Sequence, residues 1–500
     1  MKLASQTLDA ESYAVPWLLK LLAVLAVLLL FRLVALYFNQ TDLFFDEAQY
    51  WSWSLEPSFG YYSKPPLIAW LIGVATGSCG ISEFCVRLPS AFIHSGTAIG
   101  VFALGWKLYN AKVGFWSGVV FATLPGVSLS AGIISTDVPL LFFWSWALFG
   151  FAFLIDDEKA WWPALLIGVS LGLGLNAKYA MAYFVLCALI YFALSSTRRH
   201  MLRDVRWWSA VTIGLVLIAP NLVWNYENGF ATFAHTAQNA RWTGSIFNPI
   251  KALEFFGSQF GVFGPILFAG LLTIARRAYK GEVTEAADKL LLVFAVPVIA
   301  IVVVQAFISR AHANWAAVSY VAATVLVTAT MIRELSWGWL RLSLAIHVAA
   351  LLGLAILVAN AGSFRLPNGQ NPFARTLGWD NLARATKVQL EQARKDGNPY
   401  GGVLTLDRSV TAELLYYMRD DATPIRSWRS GSRANDHFQL TRAYQGAVSD
   451  PILLVVVGGI PTVVADRFEV FEYVAVENIP AGAGAPRRVT FGRLSGFKRR

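Results

Sequence analysis

The stretch FFDEAQYWSWSLEPSFGYYSKPPLIAW, Phe44 to Trp70, sets two adjacent carboxylates, Asp46 and Glu47, directly after an apolar run. Aromatic side chains follow, then Lys64 and two prolines. Charges beside a bilayer are expensive, so chemistry that needs them is worth asking for. A carboxylate can take a proton from an attacking hydroxyl, orient sugar hydroxyls or hold a divalent ion. A cation can hold a lipid phosphate and stabilise the charge it gains on leaving. Tyr50, Tyr61 and Tyr62 can line a sugar site or sit in the interfacial belt. Further polar residues stand elsewhere: Asp137 in STDVP, Lys178 and Tyr179 in NAKYAM, Glu227, His235 and Arg241 within 225–252, and Arg310, His312, Asn314 and Trp315 in SRAHANW. Together they are the parts for breaking a sugar–phosphate bond at a membrane surface. Each alone has a plainer reading. The acidic pair can be a helix end reaching water, Lys64 can snorkel, Asp137 can cap the next helix, Lys178 can anchor the apolar run before it, and the histidines can be structural.

These residues have to be positioned by a membrane scaffold. Of 500 residues, 56% are hydrophobic and 14% charged, with mean hydropathy +0.51. A soluble domain is about 45–50% apolar and about 25% charged. Several runs reach the roughly 20 residues a spanning helix needs, and the alternating segments of a β-barrel are absent. The net charge of +10 is spread over loops, which fits the positive-inside rule and anionic lipid head groups. Nucleic acid is excluded as a partner because no basic domain or stripe concentrates that charge.

Apolar segments fall near 17–38, 66–78, 88–108, 113–131, 138–155, 162–176, 179–196, 207–224, 253–275, 290–308, 313–332 and 339–359. The first is too long for a signal-peptide core and reads as an uncleaved helix. The segment 66–78, about 13 residues after Pro65-Pro66, is too short to span and reads as interfacial or re-entrant. Eleven crossings then remain. With the N-terminus inside, the cytoplasmic loops hold Lys107, Lys112, Arg198, Arg199, Arg203, Arg206, Arg276, Arg277, Lys280, Arg333 and Arg341. If 66–78 crossed, TRRHMLRDVR would land outside, against the rule. Loop charge alone thus places the acids, Lys64, the other polar residues above and everything after residue 360 on the outer face.

After about residue 360 the apolar runs shorten to strand length (GGVLTL, PILLVVVGG, FEVFEYVAV), and VTAELLYYMRD reads as an amphipathic helix. The expected fold is an α-helical polytopic membrane protein with about 11 transmembrane helices plus interfacial helices, over residues 1–359. A small α/β domain covers 360–500. Cys187 sits in an apolar run. Cys79 and Cys85 share one loop and either pair, if that loop faces an oxidising compartment, or stay free.

FFDEAQYW…GYYSKPPLIAW, with RLPS at 87–90, STDVPLLFFW at 135–144 and NW at 314–315, resembles the bacterial branch of the GT-C integral-membrane glycosyltransferases. That group includes protein O-mannosyltransferases, the lipid A aminoarabinose transferase and enzymes that add galacturonic acid to lipopolysaccharide. The resemblance covers most of the membrane part, and LDRSVTAELLYYMRD is similar to the outward soluble domain of relatives. It implies a polyprenyl-phosphate sugar donor, a lipid or glycan acceptor such as lipid A, and inverting transfer on the periplasmic face of a bacterial inner membrane. By motif, Asp46 is the main catalytic carboxylate, Glu47 its partner, Asp137 the second outer acid and Lys64 the donor-phosphate contact. Placement adds Lys178, Arg241, Arg310 and His312 on the phosphate, and Tyr50, Tyr61, Tyr62, Tyr179, Asn314 and Trp315 along the substrate.

There is one departure. The aminoarabinose transferase carries a glutamate before its Lys-Pro-Pro, where this chain has Ser63. A metal at that position loses its ligand, and a divalent ion at Asp46 and Glu47 stays open. The runner-up reading is a protein O-mannosyltransferase with a Ser or Thr acceptor. A polyprenyl-lipid transporter is the reading from another class, but transporters place charges near the midplane and show repeats. Here the acids lie at helix ends and no repeat is visible.

Overall fold

The computed structural model describes residues 3–157, 159–240, 246–446 and 448–498, with side chains from residue 14 onward. The chain divides into two compact units. The first holds residues up to Leu36, Lys64–Ile68 and Arg87–Leu354. The second holds Tyr37–Ser63, Ala69–Val86 and residues from Ala355 on. The sequence reading parts the chain at 359 and 360, whereas contacts group 37–63 and 69–86 with the C-terminal residues.

The first unit is helical. Among the described residues, six helices are long and apolar enough to cross a bilayer: Ala14–Tyr37, Glu83–Leu108, Asp137–Leu154, Val205–Glu227, Ala286–Ile308 and Trp337–Ala359. Val27, Leu30, Leu352 and Ile356 stand exposed on the first and last of these, as lipid-facing side chains do. Shorter apolar helices are Leu67–Cys79, Trp162–Ala177, Tyr179–Leu194 and Ser319–Arg333.

The segment 253–275, which reads as one crossing, is two helices, Pro249–Val262 and Pro265–Tyr279, bent by 117°. Gly264 makes the break. Its φ of +91° is open to glycine, and a Cβ there would lie 2.5 Å from His347 Nε2. Pro265 then starts the second helix, where its missing N–H costs nothing. The expected loop 225–252 also contains a helix, Ala231–Ala240.

Helices in lipid approach closely where residues are small. Gly168 and Gly172, one turn apart on Trp162–Ala177, face Ile213 and Leu217 of Val205–Glu227, and a Cβ on Gly168 would come within 2.7 Å of Ile213 Cβ. Gly150 brings Asp137–Leu154 against Ile167 on the same helix. Three helices are thereby locked side by side. Asp137 begins one of them and Lys178 caps the end of its neighbour.

The second unit is built on a five-stranded sheet. Its strands are β1 (Gly402–Thr405), β2 (Ile425–Ser427), β3 (Ile452–Val457), β4 (Phe468–Ile479) and β5 (Arg487–Phe497), in the order β2-β1-β3-β5-β4. β1 runs parallel to β2 and β3, and β5 antiparallel to β3 and β4. The run ILLVV in β3 is apolar without alternation because both faces are covered. Val403 and Leu453 join Trp379, Leu382 and Leu414 on one face, while Leu404 and Leu454 join Trp428, Tyr444 and Phe468 on the other. Each such buried side chain contributes about 1.5–3 kcal/mol. Cys79 and Cys85 form a disulfide in this unit, and Cys187 is free and buried.

The opening loop is packed into the same unit. The Trp51 ring meets Tyr416, of the Arg408–Tyr417 helix, edge-on at 4.9 Å. The Leu43 N–H donates to Tyr417 Oη at 2.9 Å, and the Trp379 N–H to Asp42 at 2.7 Å.

Candidate active site

Asp46 and Glu47 lie in the first turn of the Phe45–Ser54 helix, where carboxylates suit the helix dipole. Adjacent helix positions point about 100° apart, so the two acids part company. Glu47 turns inward, 2% exposed, and its Oε2 accepts the Phe44 N–H at 2.9 Å, closing the helix start. Asp46 stays 35% exposed at its side chain. Arg408 Nη1 donates to Asp46 Oδ1 at 2.9 Å and to Gln49 Oε1 at 3.1 Å. Gln49 in turn reaches Ser63 Oγ at 3.5 Å. Asp46 Oδ2 takes no partner among the described residues.

Aromatic packing braces this loop. Tyr61 stacks on Trp53 at 4.5 Å, and its hydroxyl donates to Trp53 O at 2.9 Å. Tyr62 Oη donates to Ala434 O at 3.0 Å. Tyr50, Tyr61 and Tyr62 are all buried, so their place is inside the packing of the unit. His437 meets Trp53 and Tyr61 edge-on. Burial, helped by the Arg442 charge, pushes its imidazole down to about 3. Burial lifts the Asp42 carboxyl to about 6, against the backbone donors Trp379 and Asp380 and with help from nearby acids.

Asp137 is held differently. Its side chain is 10% exposed, and both oxygens are engaged. Lys178 Nζ donates to Oδ1 at 2.7 Å and Asn314 Nδ2 to Oδ2 at 2.7 Å. Asn314 sits in the turn Ala313–Ala316, whose Ala313 carbonyl accepts from Gln259 Nε2 at 3.3 Å. Gln259 is itself bonded by Tyr320 Oη at 2.5 Å. Tyr179 Oη donates to Asn221 Oδ1 at 2.7 Å, receives Asn225 Nδ2 at 3.1 Å and stacks on Phe233 at 5.0 Å.

Lys64 stands half-buried in the bend before Pro65-Pro66. The His312 ring, on an exposed residue, lies 5.5 Å from Trp315. Arg310 is half-buried, and its carbonyl accepts from Gln305 at 3.3 Å. Arg241 lies outside the described residues. Asp137, Lys178 and Asn314 are therefore brought together, whereas Asp46 and Glu47 diverge. Sequence reasoning missed Arg408, Gln49 and Gln259. Gln49 was in view within the opening stretch and Arg408 within LDRS, but neither has a local pattern that names its partner.

For a divalent ion, Asp46 and Glu47 do not form a shared site. One carboxylate meets a guanidinium and the other closes its own helix start. Among the described residues no group of three His, Cys, Asp or Glu side chains is placed to hold an ion.

Residues 63–224 match the family described as dolichyl-phosphate-mannose-protein mannosyltransferase. Over 431 residues, 86% of this chain and 89% of the relative, it is 34% identical to the lipid A galacturonosyltransferase RgtD of Rhizobium johnstonii. The chain belongs to the GT-C superfamily of membrane glycosyltransferases. A second relative of this GT-C enzyme, the lipopolysaccharide core galacturonosyltransferase RgtA of the same organism, is 29% identical over 188 residues, 37% of each chain. The crystal structure of ArnT from Cupriavidus metallidurans bound to undecaprenyl phosphate aligns with a TM-score of 0.63 at 15% identity, over 96% of this chain and 98% of that one. Its apo form gives 0.60 over the same shares. The GT-C fold is common to both.

Proposed function

We propose that this GT-C enzyme moves a uronic acid from a polyprenyl-phosphate donor to lipid A or the lipopolysaccharide core, on the periplasmic face of the inner membrane. The relative matched over most of both chains is a lipid A galacturonosyltransferase, which supports the sugar and the acceptor. The state of Asp46 carries the chemistry. It is the one outer acid of the three that keeps water access and an oxygen without a protein partner among the described residues.

The reaction is a single inverting displacement. An acceptor hydroxyl attacks the anomeric carbon and its proton passes to Asp46 Oδ2. The bond from that carbon to the phosphate oxygen breaks, and the polyprenyl phosphate leaves with the electron pair. The motif assigns Lys64 to that phosphate, whose growing charge a cation stabilises. Asp137 holds Lys178 and Asn314 within the helical unit. No step of this scheme passes through a metal ion.

In this reading eleven segments cross, with the N-terminus cytoplasmic. They are the six long helices, the bent pair taken as one, the Ala111–Thr123 helix with its continuation Pro125–Ser130, and three shorter apolar helices. The helix Leu67–Cys79, about 20 Å long, is too short to cross and groups mostly with the C-terminal residues. Residues 360–500 form the periplasmic domain.

Mass spectrometry of lipid A and lipopolysaccharide from a deletion strain tests the proposal. A loss equal to one hexuronic acid, restored by the intact gene, is expected. The family match over 63–224 favours one second reading, protein O-mannosylation. Unchanged lipid A with periplasmic glycoproteins lacking hexose would replace the proposal by that reading.

A further inference from the structure

Arg408 is the first residue of the Arg408–Tyr417 helix, whose N-cap Asp407 accepts the Ser409 N–H at 2.7 Å. A cation in a first helical turn works against the dipole, so helix stability does not explain it. Its guanidinium is nonetheless held at three points: Nη1 on Asp46 and Gln49, and the plane over the Phe45 ring at 4.8 Å. Nε and Nη2, the side-on fork of the group, take no partner among the described residues. The side chain is 36% exposed. Arg375, also exposed, stacks on the same Phe45 ring at 5.5 Å, and its guanidinium has no hydrogen bond or ion pair among the described residues. A rigid, always-charged fork with two parallel N–H groups matches a carboxylate in a bidentate pair.

We propose that Arg408 is a specificity-determining residue whose free Nε/Nη2 fork binds the carboxylate of a uronic acid donor, with Arg375 adding positive charge beside it. In a pyranose, C1 and the carbon bearing the carboxyl group flank the same ring oxygen. A group that grips the carboxylate must therefore stand one side chain away from the group working at C1. Arg408 stands one hydrogen bond from Asp46. The residue then selects a charged sugar over its neutral counterpart and sets that sugar against the base in the same contact. This inference rests on the proposed transfer of a uronic acid and adds the part of the chain that recognises it.

The test uses the full-length enzyme in proteoliposomes with lipid A and two donors, polyprenyl-phosphate galacturonic acid and polyprenyl-phosphate galactose. In Arg408→Gln, kcat/KM for the uronic donor should fall about 10–100-fold, the worth of a lost charge-assisted pair, mainly through KM. The value for the galactose donor should change far less, so the preference between donors collapses. Arg408→Lys should restore part of the affinity, because charge returns without the fork, and Arg375→Gln should shift the preference in the same direction by a few-fold. Equal loss on both donors, with melting temperature unchanged, would overturn the assignment and leave Arg408 as a positioning residue for Asp46. If Arg408→Gln does not fold, an unchanged donor preference in Arg408→Lys and Arg375→Gln together would overturn it. Wild-type enzyme that ignores the uronic donor and uses the galactose one would strike the proposed function itself.

Discussion

Asp46 and Asp137 are both carboxylates in the first turn of a helix, yet they are equipped for opposite tasks. Asp137 is enclosed, and each of its oxygens already accepts a hydrogen bond, from Lys178 and from Asn314. Asp46 is a third exposed, gives one oxygen to Arg408 and keeps the other. An acid whose lone pairs are committed organises its neighbours. One with an oxygen to spare can receive a proton. The difference comes from what each helix packs against. Asp137 starts a helix clamped through Gly150 and the glycines of Trp162–Ala177, which fixes the Lys178 end beside it. Asp46 starts a short helix whose inward face is taken by Glu47, Trp51 and Trp53.

Removing one acid should therefore cost turnover and removing the other should cost the fold. Asp46→Asn is expected to lower transfer by about 10²–10⁴-fold, the usual contribution of a positioned base, with the melting temperature in detergent unchanged. Asp137→Ala should leave the Lys178 ammonium without its partner in a mostly buried place and destabilise the protein by about 3 kcal/mol. Adding Lys178→Met to that variant should recover much of the loss, measured as a double-mutant cycle on thermal unfolding. Acid should act on the unit that holds Asp46. His437 has a folded value of about 3, below the ordinary 6.5, so the folded state binds fewer protons than the unfolded chain between those values. Stability then falls as pH drops from 6.5 towards 3. Asp42, raised to about 6 from 3.8, has the opposite sign and loses stability as pH rises through 4 to 6. His437→Gln should flatten the acid limb of a melting-temperature profile. The smallest effect belongs to Glu47, whose carboxylate closes a helix start: Glu47→Ala should cost about 1 kcal/mol, and Glu47→Gln should keep transfer within a few-fold of wild type.

The sequence carried what is local. Apolar length marked the long helices, the short piece 66–78 appears as the 13-residue helix Leu67–Cys79, GGVLTL and PILLVVVGG contain β1 and β3, and FEVFEYVAV lies within β4. The helix in VTAELLYYMRD was equally legible. The bend at Gly264 was not, because apolar composition continues across it and only the close approach of His347 shows why a glycine is required. β2, three residues long, has no run to read. In the site, residue types were legible and partnerships were not. Arg408 meets Asp46 across 362 positions and Asn314 meets Asp137 across 177. No periodicity encodes such contacts. For the same reason Tyr61 and Tyr62 read as sugar-lining, while in the structure their hydroxyls donate to the backbone carbonyls of Trp53 and Ala434.

The most direct test compares Asp46→Asn and Asp137→Asn in the same proteoliposomes, supplied with polyprenyl-phosphate galacturonic acid and lipid A. Product is counted per folded molecule, with the folded fraction taken from thermal unfolding. Asp46→Asn should be fully folded and at least a hundredfold slower, while Asp137→Asn should be less stable, with its folded fraction within about tenfold of wild type. An Asp46→Asn enzyme that transfers at the wild-type rate, or an Asp137→Asn enzyme that is as stable as wild type but inactive, would contradict the division of labour between the two acids.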